Sequence, residues 1–132
     1  MNAGARDRIE LLYDALNRRA VEEMLAVCHP EVEVQLVTGR LAGRSEPYRG
    51  HEGLRRYMED IERVWDELLV TPHQMADRDG SLVVWGRVYV RSKTLGIRDL
   101  PVVWLWSERE SLLWRGELVG EEEALRSGPG QS

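Results

Sequence analysis

The chain has 132 residues, of which 42% are hydrophobic and 31% are charged, and its formal net charge at pH 7 is −5. This length suits one domain with its own core, and this balance excludes an intrinsically disordered or membrane-embedded chain. The acidic net charge also argues against a dedicated nucleic-acid-binding protein. The aromatic residues are unusual, with five tryptophans, four tyrosines and no phenylalanine.

The cysteine count and the N-terminus bear on location and on metal chemistry. Cys28 is the only cysteine, which excludes an internal disulfide and a paired thiolate metal site. No apolar run has the character of a signal peptide or the length of a membrane span, so we expect a soluble cytoplasmic protein. No Asp, Glu and His grouping has metal-ligand spacing, and there is no glycine-rich phosphate loop. We therefore expect no metal and no cofactor.

The chain begins with two helical patterns. Ile9, Leu12, Tyr13 and Leu16 fall at helical spacing and predict a first helix. A shorter apolar pattern predicts a second helix over residues 21–28, which Pro30 would end.

In the middle of the chain the spacing of apolar residues changes twice. Alternating apolar and polar residues predict a half-exposed strand over residues 31–37. Three glycines and Pro47 predict a loop over residues 38–50. The longest helix is then expected near residues 51–68, with Trp65 on its apolar stripe.

The second half of the chain has the period of β-strands. Strands are predicted near residues 69–77, 81–93, 98–109 and 112–119, with turns at Asp79-Gly80, Gly96 and Glu110-Ser111. A short helix near residues 121–126 and a frayed tail over 127–132 complete the chain. Helices segregated from a meander of antiparallel strands predict a single α+β domain over residues 1–132.

Four stretches resemble the SnoaL-like family of the nuclear-transport-factor-2-like superfamily. They are Leu12-Tyr13-Asp14-Ala15-Leu16-Asn17, Tyr48-Arg49-Gly50-His51-Glu52-Gly53-Leu54-Arg55-Arg56-Tyr57, Pro101-Val102-Val103-Trp104-Leu105-Trp106 and Glu122-Glu123-Ala124-Leu125. The resemblance covers about residues 5–127. It implies a cone-shaped roll, in which a curved mixed or antiparallel sheet wraps around a long helix and three to four helices occur. It also implies an apolar pocket at the mouth for a small organic molecule.

The resemblance does not imply one activity, because this fold hosts cyclases, isomerases, dehydratases, epoxide hydrolases and proteins without chemistry. In the ketosteroid isomerase pattern, the tyrosine that donates to an oxyanion matches Tyr13. The base falls on Leu36 and the second acid on Val103, and neither side chain can transfer a proton. We therefore do not expect that isomerase reaction.

Other polar residues are candidates for the pocket. The same strand alignment implies that Trp85, Arg87, Tyr89, Arg115 and Glu117 face it, with Asp99 near its mouth. The candidate catalytic residues are Glu117, Asp99 and Tyr13, and the candidate ligand-binding residues are Arg87, Arg115, Trp85, Tyr89, Leu36, Tyr57 and Val103.

Three alternatives stay open. A strand register shifted by one residue would place the charged set on a solvated face as a cross-strand Arg–Glu ladder. Tyr13 and Tyr57 also suit a core position with a bonded hydroxyl. Finally, the domain could be a non-catalytic ligand-binding or dimerisation module rather than an acid–base enzyme.

The tryptophans predict a protein partner. Trp104 and Trp106 share one face of their strand, and Trp114 is expected beside them, on the convex face through which the family's members pair. We therefore expect a homodimer and a small-molecule ligand, with no nucleic-acid or membrane partner. The alternative is that these rings pack under the domain's own helices.

Overall fold

The structure, a computed structural model, describes residues 3–35 and 46–119, and of Ala3 only the backbone. In chain order the elements are α1 (Ala3–Arg18), α2 (Val21–Ala26), β1 (Cys28–Val34), β2 (Tyr48–Arg49), α3 (Gly50–Val64), β3 (Glu67–Arg78), β4 (Ser81–Ser92), β5 (Gly96–Arg109) and β6 (Leu112–Leu118). The predicted order of helices and strands is confirmed except for β2, which lies within the loop predicted over residues 38–50. The closing helix and the tail, together with residues 36 and 37 of the predicted first strand, lie outside the described residues.

Two element boundaries differ from the prediction. Helix α2 ends at Ala26, and Cys28 already pairs with Leu113 as the first residue of β1. Pro30 therefore lies inside a strand rather than ending a helix. It sits where the β1–β6 register shifts, between Cys28 and Glu33, and bulges of this kind tolerate a residue without an N–H donor.

The long helix also ends earlier than predicted, at Val64. Trp65 has extended backbone angles (φ −109°, ψ 126°), although its N–H still donates to the Ile61 carbonyl. Its side chain is buried, as expected from its place on the apolar stripe. The apolar pattern continues past Val64 because strand β3 also places Leu68 in the core.

The six strands form one mixed sheet in the order β2-β1-β6-β5-β4-β3. All neighbours are antiparallel except β1 and β6, which run parallel. The sheet curls around the helices and confirms the α+β cone. The core lies between the helices and the inner face of the sheet, which presents the even-numbered residues of β4 and β5, Leu82, Val84, Val88, Val90, Val102, Trp104 and Trp106.

The odd-numbered residues of β4 and β5 form the opposite face, which we call the open face. Along its centre Val83 is fully buried, and Trp85, Val103 and Leu105 are half-buried. Two large apolar side chains near its end are exposed, Leu69 by 51% and Ile97 by 62%. In the described parts of the chain, the helices pack against the inner face instead.

The tryptophan prediction is wrong for Trp104 and Trp106. Each is only 1% exposed and lies in the core, under Tyr13 of α1, at ring-centroid distances of 5.0 and 6.4 Å. The even-numbered row of β5 faces inward, so the alternative of packing under the domain's own helices is the correct one. Trp114 is half-buried and lies beneath two guanidinium groups, those of Arg109 and Arg115.

Two glycines make room for these indoles. A Cβ on Gly116 would lie 2.4 Å from Cη2 and Cζ3 of Trp106, and a Cβ on Gly86 would lie 3.1 Å from Cζ3 of Trp104. The rings therefore occupy the volume that side chains on neighbouring strands would fill. Large indoles opposite glycines keep the inner face densely packed.

Helix α1 also covers the outer backbone of β3, which is an edge strand of the sheet. The Asn17 amide donates to the Val70 carbonyl at 2.9 Å and accepts from the Val70 N–H at 2.8 Å. Further along, the Arg6 guanidinium donates to the Met75 carbonyl at 3.2 Å. These side chains satisfy backbone groups that an edge strand otherwise leaves open.

Candidate functional site

The open face holds five of the candidate residues, Trp85, Arg87, Tyr89, Asp99 and Val103. Arg87 and Asp99 form an ion pair at 3.1 Å, and their side chains are 47% and 56% exposed. The expected orientation of these residues into the cone is therefore wrong by one position. The arrangement matches the alternative of a charged cross-strand ladder, in which Arg91 and Glu67 form a second pair at 2.7 Å.

Tyr13 and Tyr57 lie in the core. The Tyr57 ring is fully buried, 5.2 Å from the Tyr48 ring between centroids. The Tyr13 hydroxyl accepts a hydrogen bond from Trp106 Nε1 at 2.8 Å. Burial raises the pKa of Tyr13 well above its usual value, so the phenol stays neutral. Its own proton has no acceptor among the residues that the structure describes.

Trp104 presents an unpartnered donor in the same region. Within residues 3–35 and 46–119, its Nε1 is the one buried side-chain polar atom without a hydrogen-bond partner. Leaving a buried donor unsatisfied costs about 1–3 kcal/mol. Cζ3 of the same indole lies against Gly86 on β4. The sequence prediction missed this donor because it placed Trp104 on the outer face.

A cleft of about 220 Å³ lies where β1 ends beside β6. It is lined by Glu33, Val34, Gln35, Pro47, Arg115, Gly116 and Glu117. Arg115 and Glu117, both predicted for the ligand site, line this cleft. Their predicted inward orientation is wrong, because Gly116 between them pairs with Trp106 of the inner face. Arg115 and Glu117 themselves are exposed on the open face. Leu36, the next residue predicted to contact the ligand, lies outside the described residues.

The strand register determines which charged residues lie side by side in this cleft. Glu33 pairs in register with Arg49 on β2 and with Arg115 on β6. The Glu33 carboxylate lies 3.7 Å from the Arg49 guanidinium, whereas Arg115 is placed 4.5 Å above the Trp114 ring. Glu117 is exposed. The cleft thus offers a guanidinium, two carboxylates and the Gln35 amide to a polar group of a ligand.

The charged side chains of the cleft and the aromatic interior lie on opposite faces of the sheet. Val34, Gly116 and Trp106 form one inward-facing row across β1, β6 and β5, and Leu118 and Trp104 face each other in the next row of β6 and β5. Val34 and Gly116 line the cleft. Glu33, Arg115 and Glu117 alternate with these inward-facing residues, so their side chains share the open face with Ser107 and Leu105 of β5.

Asp60 is a buried carboxylate on α3, and both of its oxygens accept hydrogen bonds. Tyr48 donates to it at 2.8 Å, Arg63 at 2.7 Å and Arg56 at 3.3 Å. Burial alone would raise the pKa of Asp60, but these hydrogen bonds outweigh burial and lower the pKa below its usual value. A carboxylate held in this way is a weak base and anchors α3 to β2.

His29 is likewise fully engaged. Its Nδ1 accepts from the Glu31 N–H at 3.0 Å, and its Nε2 donates to Glu110 at 2.7 Å. This hydrogen bond lowers the pKa of the Glu110 carboxyl. No ring nitrogen of His29 is free to act on a ligand, so the pair ties β1 to the β5–β6 turn.

Two kinds of site are absent from the described ranges. Residues 3–35 and 46–119 contain no group of three or more His, Cys, Asp and Glu placed to hold a metal ion. None of the helices in these ranges combines the length and apolarity needed to cross a bilayer.

The sequence of the chain matches a known protein family. A protein-family model described as the SnoaL-like domain matches residues 9–115. A search of curated protein sequences finds no significant match.

Solved structures share the fold at low sequence identity. The crystal structure of TerC co-crystallized with polyporic acid is 22% identical, with a TM-score of 0.76 over 94% of this chain and 96% of that one. An NTF2-like protein of unknown function from Burkholderia pseudomallei is 17% identical, with a TM-score of 0.77 over 94% and 95% of the two chains. RV0760c from Mycobacterium tuberculosis, in complex with estradiol-17beta-hemisuccinate, is 11% identical, with a TM-score of 0.71 over 91% and 95%.

Proposed function

Because the chain belongs to the SnoaL-like domain family, we propose that it binds a small organic molecule in the cleft between β1 and β6 and performs no chemistry on it. The observation that carries the proposal is the cleft itself, a cavity of about 220 Å³ lined by a guanidinium, two carboxylates and an amide. Pockets for drug-sized ligands measure about 300–1,000 Å³, so the ligand is smaller than a typical drug.

The rim residues would orient the polar end of this ligand. The Arg115 guanidinium is held over Trp114, which leaves its N–H groups directed for a carboxylate or hydroxyl oxygen. Glu117 and Gln35 offer oxygen acceptors and an amide on the same rim. The structures of TerC with polyporic acid and of RV0760c with a steroid ester support small organic molecules as the class of ligand.

The placement of the acids favours binding over catalysis. Asp99, a candidate base, pairs with Arg87 on the open face, away from the aromatic interior. Asp60 has three hydrogen-bond donors and a lowered pKa. Glu117, the other candidate base, is exposed at the cleft rim, where water solvates it. A general base gains from a raised pKa and a dry site, which these groups lack.

A fragment library screened by ligand-observed NMR tests the proposal. The variants Arg115→Gln and Glu117→Gln should weaken hits about tenfold, because each removes a charged hydrogen-bond partner. Arg87→Gln on the open face serves as the matched control and should leave the affinities unchanged.

Two results would contradict this proposal. If no fragment perturbs the cleft, the binding function is wrong. If the NMR spectrum of a hit changes into that of a product during incubation, the protein is an enzyme.

We also propose that the open face pairs with a second copy of the chain. Apolar side chains occupy its centre and end, and salt bridges of both signs, Arg87–Asp99 and Arg91–Glu67, lie among them. A two-fold axis through such a face can place unlike charges opposite each other while it buries the apolar groups.

A further inference from the structure

We infer that the ligand of this cleft is a zwitterion, a small amino acid, whose carboxylate binds Arg115 and whose ammonium group binds Glu117. The inference rests on the proposed binding function and adds the charge pattern of the ligand. It concerns two side chains of opposite charge that flank Gly116 on β6 and line the same cleft.

The first support is that the two opposite charges do not pair with each other. Arg115 and Glu117 lie two positions apart on the open face, about 7 Å between Cα atoms in an extended strand. Neither side chain forms an ion pair or a hydrogen bond with any residue in the ranges 3–35 and 46–119. Elsewhere on this face Arg87 and Asp99 do pair, at 3.1 Å. The cleft therefore holds a positive and a negative group that a ligand can engage.

Trp114 explains why the pair stays open. The Arg115 guanidinium lies 4.5 Å from the centroid of the Trp114 ring, and cation–π attraction holds it there. A guanidinium over a ring keeps its N–H donors in its own plane, where they can bind a carboxylate. Arg109, 5.4 Å from the same centroid, is paired with Glu31 at 3.3 Å. Trp114 is thus a positioning residue for Arg115.

The other charges of the cleft select a ligand that carries both signs. Glu33, the third ionised residue of the lining, lies 3.7 Å from the Arg49 guanidinium, which balances its charge. A simple anion at Arg115 would be repelled by Glu117, and a simple cation at Glu117 would be repelled by Arg115. A molecule with a carboxylate and an ammonium group satisfies both residues and adds no net charge to the site.

The size of the cleft limits the ligand to a short carbon chain. Its volume of about 220 Å³ is below the range of about 300–1,000 Å³ for drug-sized ligands. The Gln35 N–H donates to the Gly116 carbonyl at 2.8 Å, which holds the end of β1 against β6. Pro47 lines the cleft as well and offers apolar contact to methylene groups. A small aliphatic amino acid fits these limits.

A matched ligand series tests the charge pattern. Alanine, β-alanine and γ-aminobutyrate are titrated into ¹⁵N-labelled protein, and the Gly116 backbone signal reports on the cleft. The tightest of the three is compared with two analogues in which a methyl group replaces either the ammonium group or the carboxylate. For alanine these are isobutyrate and isopropylamine. The zwitterion should bind about tenfold more tightly than either analogue, because each analogue lacks one charge-assisted hydrogen-bonding group.

Two variants assign the two charges. In Glu117→Gln the affinity ratio of the zwitterion to the anionic analogue should fall from about ten to about one, and in Arg115→Gln the ratio to the cationic analogue should fall likewise. A purely structural role would lower all affinities together and leave the ratios unaltered. Arg87→Gln, which breaks an ion pair of the open face outside the cleft lining, is the control and should keep both ratios.

The positioning role of Trp114 has its own test. Trp114→Leu should weaken the zwitterion about threefold, because the cation–π contact no longer holds the guanidinium. In the Arg115→Gln background the same change should have no further effect on affinity, since the cation is already absent. Equal losses in both backgrounds would show that Trp114 does not act through Arg115.

The outcomes separate the inference from the proposed function. If the tightest zwitterion binds no more tightly than its single-charge analogues while the Gly116 signal shifts, the inference is wrong and ligand binding in the cleft stands. If the amino acids do not bind and Arg115→Gln turns a dimer into a monomer, the two charges serve pairing between copies and the inference is also wrong. If no fragment of any class shifts the Gly116 signal, both proposals fail.

Discussion

Single residues decide how the interior of this cone is filled. Gly116 and Gly86 have no side chains, and the indoles of Trp106 and Trp104 lie over them. The Trp106 ring is also held by its hydrogen bond to Tyr13, so it has no room to move aside. A glycine and a tryptophan on adjacent strands therefore act as one packing unit.

Gly116→Ala should destabilise the fold by about 1–3 kcal/mol, because the new methyl group would overlap the Trp106 ring. Urea unfolding followed by circular dichroism measures this cost. Combining the change with Trp106→Phe should give a loss smaller than the sum of the two single losses, by about 0.5–3 kcal/mol. Additive losses would show that the two residues are not coupled.

Gly4→Ala is the matched control for this cycle. The added Cβ would meet only the flexible Arg8 guanidinium, at 3.2 Å from one of its nitrogens, and Gly4 lies in helix α1. Alanine favours helix over glycine by about 1 kcal/mol, so the control should be neutral or stabilising.

The thiol of Cys28 should be inert in the folded protein. Burial raises its pKa to about 12, so only about one thiol in ten thousand is ionised at pH 8. Ellman's reagent should react with it at the rate at which the fold opens, and at once in 6 M guanidinium (about the strength that unfolds most domains). Because Cys28 is the only cysteine, the assay reads one site. Native protein that reacts as fast as glutathione would contradict the burial.

At the level of elements, Asp60 joins α3 to β2 through Tyr48 and is itself held by Arg56 and Arg63 from its own helix. Its carboxyl pKa is lower in the folded state than in the unfolded chain. The unfolded chain therefore takes up more protons as the pH falls toward 4. The stability that Asp60 contributes is present above its usual pKa and is lost as the pH falls through the folded value.

Asp60→Asn should cost about 1–3 kcal/mol at pH 7, since a charged hydrogen-bond acceptor is lost from a buried position. The difference in unfolding free energy from the wild type should shrink as the pH falls below the usual pKa of an aspartate and through the lower pKa of folded Asp60. Urea midpoints across this range measure it. Asp14→Asn is the control, since it breaks an exposed i,i+4 pair with Arg18 and should cost less than about 0.5 kcal/mol. A pH-independent difference would show that the Asp60 charge is irrelevant.

At the scale of the whole molecule, the proposed pairing through the open face predicts the oligomeric state. We expect light scattering to find a dimer at micromolar concentration. The double change Leu69→Arg with Ile97→Arg should shift it to a monomer, because both side chains are more than half exposed on that face and like charges would meet across the axis. Leu11→Arg alters a side chain that is 52% exposed on α1 and should leave the dimer intact. A wild-type monomer would contradict the pairing.

Local patterns in the sequence predicted the elements and the family but not the orientation of β4 and β5. Both rows of these strands are largely apolar, with Val83, Trp85 and Val103 on one and Val84, Val88 and Trp104 on the other. Arg87 and Asp99 share the first row, and this was the available signal that it faces water. Gly86 obscured the inner row, because its place in the core is explained by the Thr71 carbonyl, 2.3 Å from a Cβ at this position, and by the Trp104 indole.

The candidate site was harder to predict than the fold. Its cleft depends on the parallel pairing of β1 with β6, which places Glu33 beside Arg115 across a separation that no local spacing encodes. The Trp104 donor is identified only by the absence of a partner, which is a property of the folded core. Arg115 and Glu117 were predicted on the correct strand but on the wrong face, because the side chain that faces inward between them is a glycine.

The cover that α1 places over β3 limits how copies of the chain can assemble. Strands that join edge to edge build open-ended fibres, and they need a free row of backbone N–H and C=O groups. Asn17 and Arg6 already occupy such groups on β3, and the opposite edge is β2, which is only two residues long. Growth from either edge is thereby hindered, whereas the proposed face-to-face pairing of two copies would close on itself and leave no site for a third.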